Sequence, residues 1–159
     1  MSENFTRLAD TLSTNNEGTA YITINGQNRQ LFEVVKIEAN IEKTILEKRM
    51  LGNKITQHKV IGAKITGSAT LALMNGDLLK ATLNYLKTGV YPNIKLQLKN
   101  LDPSSSVGAR EVILTGVIFN NDLLSLLDSD SEDMATFDTD FTADGIEVLS
   151  DFKLPQNYR

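Results

Sequence analysis

Lys64-Ile65-Thr66-Gly67-Ser68-Ala69-Thr70-Leu71-Ala72-Leu73 carries the cleanest two-residue alternation in the chain, and its reading decides the fold. Ile65, Gly67, Ala69, Leu71 and Leu73 share one face of an extended strand, and Lys64, Thr66, Ser68 and Thr70 share the other. The small residues in the apolar row imply close approach of another backbone or tight sheet curvature. A matching strand lies upstream, where Val35, Ile37, Ala39 and Ile41 alternate with Lys36, Glu38, Asn40 and Glu42. The two strands are suited to pair. Between them the period breaks: Ile45, Leu46, Met50 and Leu51 are apolar but irregular, and Gly52-Asn53 is a turn signal. Glu47 to Gly62 therefore reads as a long, polar, basic loop with no core of its own. Loops of that length tend to be functional or mobile, so the expectation is an inter-strand arm over 47–62 that needs a partner.

Upstream, Thr19 to Ile24 is β-branched and aromatic, and Asn25-Gly26 is a strong hairpin signal because both residues tolerate positive φ. The return strand is expected from Arg29 to about Glu42. Phe5, Leu8 and Leu12 have helical spacing and suggest one turn, while Ser13 to Asn16 is loop-like. Downstream, Asp77 is placed to cap a helix over Leu78–Lys87, with Leu79, Leu83 and Leu86 as its apolar stripe, supported by Leu78 and Tyr85, and Gly89 just past its end. Ile94 to Lys99 alternates. Glu111 to Phe119 is apolar on both faces, which fits a central strand. Asn121 to Asp133 is compatible with a short helix or a bent strand. Ala135 to Phe141 alternates with Thr136, Asp138 and Asp140, and Ile146 to Phe152 makes a weak last strand. About seven strands and one helix, without βα alternation, argue for a mainly β fold: an antiparallel sandwich or barrel with one flanking helix. The division expected is an N-terminal arm over 1–17, a β domain over 18–154 and a tail over 155–159.

The chain has 159 residues, the size of one domain. Apolar residues make up 41% and charged residues 23%, which is a globular composition. There is no cysteine, so disulfides, thiolate metal sites and cysteine nucleophiles are excluded together. The N-terminus shows no signal peptide pattern, and no apolar run approaches the roughly 18 residues of a membrane span. The net charge of −4 hides a segregation. From Lys36 to Lys64 seven basic residues stand against three acids, whereas Asn120 to Asp151 holds ten acids and no lysine or arginine. Two solvated faces account for this, and so does a self-complementary surface in which the basic region of one copy meets the acidic region of the next.

Motifs that carry chemistry do not survive inspection. His58, the one histidine, sits in a polar segment without a serine and an acid constrained beside it. Gly62-Ala63-Lys64-Ile65-Thr66-Gly67-Ser68 lacks the lysine a phosphate loop needs after its second glycine, since Ser68 stands there. Asp128-Ser129-Asp130-Ser131-Glu132-Asp133 resembles the start of a calcium loop, but Asp133 holds the position of the turn glycine and Thr139 that of the bidentate glutamate. Asn4-Phe5-Thr6 matches a glycosylation pattern without a secretory signal. Aromatic residues are few and not interleaved with the basic ones, which disfavours nucleic-acid binding. The sequence thus points to a building block with no catalytic residue, metal site or cofactor.

Several stretches in order carry a family resemblance: Glu38-Ala39-Asn40-Ile41-Glu42-Lys43, Met50-Leu51-Gly52, His58-Lys59, Gly62, and Thr66-Gly67-Ser68-Ala69-Thr70-Leu71. To these add the helix ending Lys87-Thr88-Gly89, the strand Glu111 to Val117, and the acidic turn Leu126 to Glu132 before Phe137 and Phe141. Over roughly residues 20–150 the chain resembles tail tube proteins of contractile-tailed bacteriophages, most of all those of bacteriocin-like prophages of Gram-positive bacteria. The resemblance implies six-membered rings joined through sheet edges and stacked into a hollow tube. It also implies sheath, baseplate and tape-measure proteins as partners, DNA as transported cargo, no membrane anchor, and a place in the virion tail after assembly in the bacterial cytoplasm. Pairing every sheet edge in a ring removes the liability of exposed edges, and head-to-tail stacking yields filaments.

Residues expected to matter follow from that picture. Lys48, Arg49, Met50, Leu51, Lys54, His58 and Lys59 form a subunit-contact arm. Lys36, Glu38, Asn40, Glu42, Lys64, Thr66, Ser68 and Thr70 are candidates to face the lumen, although an outward solvent face explains the same pattern. Asp128, Asp130, Glu132 and Asp133 form a candidate acidic contact face. Alternative readings are the tube subunit of a secretion or injection machine, and a monomeric ligand-binding β-barrel.

Overall fold

The computed structural model describes residues 7–12, 18–31 and 33–155. The first strands are β1 (Thr19–Ile24) and β2 (Gln27–Gln30), joined by Asn25 and Gly26 at φ 51° and 84°, the double positive φ of a tight hairpin turn. β3 (Val34–Lys48) and β4 (Gln57–Ala72) form a much longer hairpin. After helix α1 (Asp77–Thr88) come β5 (Ile94–Leu101), β6 (Ala109–Thr115), β7 (Ile118–Phe119), β8 (Thr136–Ala143) and β9 (Gly145–Ser150). They build two antiparallel sheets, in the order β2-β1-β5-β6-β9 and β3-β4-β8-β7. The mainly β, antiparallel expectation holds; among the described residues the strands form two open sheets and not a closed barrel. The suggested turn near Leu8 is a short 3-10 turn, Leu8–Asp10, while Phe5, Ser13 to Asn16 and residues 156–159 lie outside the described residues.

The core lies where the two sheets meet. Ile22, Leu96 and Leu114 of the first sheet are buried together with Ala69, Leu71 and Phe141 of the second, and Leu78 joins from α1. Gly67 sits directly across from Phe141 in the β4–β8 register. A Cβ at Gly67 would collide with the Phe141 ring and the Glu38 carbonyl, so the absent side chain is what lets ring and backbone close up. The small residues of β4 thus mean what their pattern implied.

Two expected strands divide. The stretch from Arg29 to Glu42 divides between β2, which ends at Gln30 in the first sheet, and β3, which starts at Val34 in the second. Buried Leu31 donates its N–H to the Ala20 carbonyl at 2.8 Å, and Glu33, 6% exposed, is clamped by Arg29 through two contacts of 3.0 and 2.7 Å. The Arg29 guanidinium also reaches Asp77 at 2.9 Å, and these carboxylates, Glu33 first, hold its pKa above the ordinary value. The stretch from Glu111 to Phe119 breaks at Gly116, φ 64°. An apolar pattern continues across both breaks because both sheets share one core.

In α1 the cap position is Gly76, and Asp77 lies in the first turn, where its charge suits the helix dipole. Gly89, φ 76°, closes the other end by donating to the Tyr85 carbonyl at 2.7 Å. The face turned to the sheets is Leu78, expected as a supporting residue, with Ala81; of the expected main stripe Leu83 is 45% and Leu86 71% exposed. The helix is apolar on two sides, and periodicity alone does not say which meets the sheet. Residues 121–135 form neither helix nor strand. There Asp128 and Ser131 side chains bond backbone N–H groups two residues on, at 3.0 and 3.2 Å, which competes with regular structure.

Two substitutions test this account. Gly67→Ala forces either the Phe141 ring or the β3 backbone to move, so stability measured by urea denaturation falls by about 2 kcal/mol or more. Arg29→Met strands the Glu33 carboxylate in the core; the cost is about 2 kcal/mol, below the usual range for fully buried pairs because Arg29 is itself 27% exposed. Adding Glu33→Gln to Arg29→Met restores most of that loss.

Candidate assembly surfaces

The expected arm is a ribbon and not a coreless loop. β8 pairs with β4 from Ile65 to Ala72, so residues 57–64 of β4 and 42–48 of β3 pair with each other and continue beyond the sheet. The connecting segment is residues 49–56. Two features concealed the strands. The register shifts between Thr44 and Ile45, leaving Ile61 as an extra residue that breaks the two-residue period. Past Glu42 both faces are also exposed, so no core imposes alternation.

The structure places the arm residues along this ribbon. Lys48 ends β3; Arg49, Met50, Leu51 and Lys54 form the tip; His58 and Lys59 begin the return. His58 lies opposite Glu47 with its Nε2 3.6 Å from the carboxylate. The tip is internally bonded. Asn53 N–H reaches the Met50 carbonyl at 3.2 Å, with Gly52 at φ 82° between them, and the Asn53 side chain accepts from Ile55 N–H at 2.9 Å. Leu51 stands at the apex of this turn, fully exposed. On the underside, Ile41, Ile45 and Val60 carry the apolar row out of the core into the open.

The eight candidate lumen residues converge in register. Lys36 pairs with Thr70, Glu38 with Ser68, Asn40 with Thr66, and Glu42 with Lys64, so both polar rows lie on one face of one sheet. β8 extends that face by setting Asp138, Asp140 and Thr142 beside Thr70, Ser68 and Thr66. Thr70 donates to Asp138 at 2.7 Å. These β8 residues were not among the candidates, although the alternation from Thr136 to Asp140 held the signal. The face is mixed in charge, with Lys64 3.7 Å from Glu42.

Asp128, Asp130, Glu132 and Asp133 are all exposed on the 121–135 segment. Both ends of that segment are tied down near one cavity. Thr82 of α1 donates to Asp122 at 2.5 Å, and Leu73 N–H reaches the Ala135 carbonyl at 2.9 Å. The cavity, about 360 Å³, is walled by Leu71, Leu78, Leu79, Leu123, Leu124 and Phe137, with Glu33 and Asp122 among its polar groups. The basic tip and this acidic segment are not brought together within one chain, since β4 separates Gln57 from Leu71 by roughly 45 Å at about 3.3 Å per residue. Among the described residues no group of His, Cys, Asp and Glu is placed to hold a metal ion, and no helix is long and apolar enough to cross a membrane.

Known proteins are similar to this chain in sequence or in fold. A family profile described as "Phage tail tube protein" matches residues 5–150. The uncharacterized protein YqbM of Bacillus subtilis (strain 168) is 32% identical over 138 residues, covering 82% of this chain and 93% of YqbM. XkdM, a protein of the phage-like element PBSX in the same organism, is 34% identical over 117 residues, covering 69% of this chain and 80% of XkdM. Among solved structures, a chain of the anti-feeding prophage baseplate, 6-fold symmetrised, is similar in fold, with TM-score 0.63 and 12% identity over 87% of this chain and 96% of that one. A chain of the PVC sheath-tube complex, from an extracellular contractile injection system in its extended state, is similar with TM-score 0.61 and 9% identity over 90% and 94%. The profile runs through every strand described above, and the two Bacillus proteins agree with it: the chain belongs to the phage tail tube protein family.

Proposed function

We propose that the chain is the repeating subunit of a hollow tail tube, six copies to a ring, with rings stacked inside a contractile sheath. The family is structural, so the chain is a building block and not an enzyme. One observation carries the finer reading. The β3–β4 ribbon leaves the domain with unpaired strand edges and with Ile41, Ile45 and Val60 bare. A two-stranded ribbon in water is marginal by itself, and exposed edges invite pairing. A neighbouring copy covers both. Six-fold closure is favoured by likeness to the 6-fold symmetrised particle.

In this arrangement the polar face from Lys36 to Thr142 lines the lumen, where a wet surface suits passage of DNA or of a membrane-puncturing cargo. The arm from Lys48 to Lys59 docks on the next subunit, already paired as a ribbon. Asp128, Asp130, Glu132 and Asp133 receive its basic residues. Sheath, baseplate and tape-measure proteins are the remaining partners, DNA is cargo, and the tube forms in the bacterial cytoplasm as part of a virion or virion-like tail.

Negative-stain microscopy of concentrated protein should show hollow tubes or rings of uniform width. Replacing residues 48–57 by Asn-Gly closes the hairpin at the Glu47–His58 pair; the variant stays a folded monomer by circular dichroism and sedimentation. Normal tubes from it would sink the role of the arm. Salt supplies an independent check. The screening length shrinks from roughly 10 Å at about 0.1 M to roughly 3 Å at about 1 M, so tube yield should fall across that range. A yield indifferent to salt would count against pairing between the basic arm and the acidic segment.

A further inference from the structure

We propose that Leu51, at the apex of the arm, seats in the cavity between α1, the end of β4 and the acidic segment of a second copy of this chain. The proposal rests on the reading of the chain as a self-assembling subunit and names the partner surface of the arm. Leu51 is a fully exposed apolar knob on a turn whose own hydrogen bonds hold it in place. Ordering such a tip on binding costs little, because it is formed beforehand. The cavity offers a leucine side chain an apolar seat among Leu71, Leu78, Leu79, Leu124 and Phe137, with room to spare at about 360 Å³.

Charge picks the same pairing. Lys48, Arg49 and Lys54 flank the knob, and the segment that forms one cavity wall goes on to carry Asp128, Asp130, Glu132 and Asp133. An apolar knob ringed by cations fits an apolar seat beside anions. The occupant comes from another copy, because about 45 Å of paired strand holds each tip away from its own cavity. Knob and seat are different surfaces of one chain, so the contact is head-to-tail and propagates.

Because the natural chain has no cysteine, a disulfide trap reads the contact directly. Chains carrying Leu51→Cys and chains carrying Leu124→Cys are mixed, assembled and mildly oxidised. Seating brings the two Cβ atoms toward the roughly 4 Å that a disulfide needs. Covalent dimer should exceed, by roughly tenfold, that from Leu51→Cys mixed with Ser150→Cys on β9, in line with the effective concentration of a docked pair. Leu51→Asp, at a position that makes no core contact, leaves the monomer folded and raises the concentration needed for assembly roughly tenfold or more. Leu51→Met keeps assembly near normal. Wild-type tubes with no disulfide above the control, and Leu51→Asp assembling like wild type, overturn the seat while leaving the tube subunit standing. Failure of the wild-type chain to form any higher-order assembly overturns both.

Discussion

Two chain crossings share one point, and the rest of the structure hangs on it. β6 passes into β7 at Gly116, moving from the first sheet to the second, and β8 passes into β9 at Asp144, moving back. The crossings lie against each other. Thr115 pairs with Gly145 on one side and Ile118 with Thr142 on the other. Asp144 donates its N–H to the Thr115 carbonyl at 2.9 Å, and buried Val117 donates to the Ile94 carbonyl at 3.0 Å. A Cβ on Gly116 would come within 2.6 Å of the Asp144 carboxylate, and one on Gly145 within 2.5 Å of the Thr115 hydroxyl. Two glycines at one corner let both ribbons bend without stranding a backbone group. That bend brings Leu114 and Phe141 into the same core.

From this corner the long hairpin takes its footing. The inner half of β4 is held between β3 and β8, and Ala69 and Leu71 are sunk in the core. Its outer half is the free ribbon. One continuous strand therefore serves both as sheet and as lever, and the orientation of the tip is set by packing around Gly67 and Phe141 far from it. Arg29 ties the entry of β3 to the start of α1 through Glu33 and Asp77, so the root of the long hairpin and the cavity beside α1 share one ion-pair cluster.

Much of this was written in local pattern. β1, the Asn25-Gly26 turn and the polar row of β4 are visible because each is decided by neighbours within a few residues. The two polar rows found each other in register for the same reason, since alternation fixes which residues share a face. What stayed hidden depends on distant contacts. The end of β2 and the start of β3 are tied by buried Glu33 meeting Arg29, and the break at Gly116 goes with a positive φ at a site where Asp144 leaves no room for a side chain. The buried side of α1 was undecidable from a helix with apolar residues on two sides. The cavity joins residues from 33 to 137, and no spacing announces that.

The extra residue at Ile61 has a geometric consequence of its own. In a regular strand, Gly62 and Lys59 would point to opposite sides. With one residue set aside, Thr44–Gly62, Leu46–Lys59 and Lys48–Gln57 form successive rungs on the side that carries Glu38 and Ser68. Lys48 and Lys59 are thus turned to the same side as the polar rows at the root of the hairpin. For Lys59 that side is a matter of parity, because it depends on residue 61 being set aside, whereas Lys48 takes its side from the unbroken alternation of β3. Taking residue 61 into the ladder would swing Lys59 to the side of Ile41 and Ile45, away from Lys48, whereas removing it would leave both lysines on the side of the polar rows.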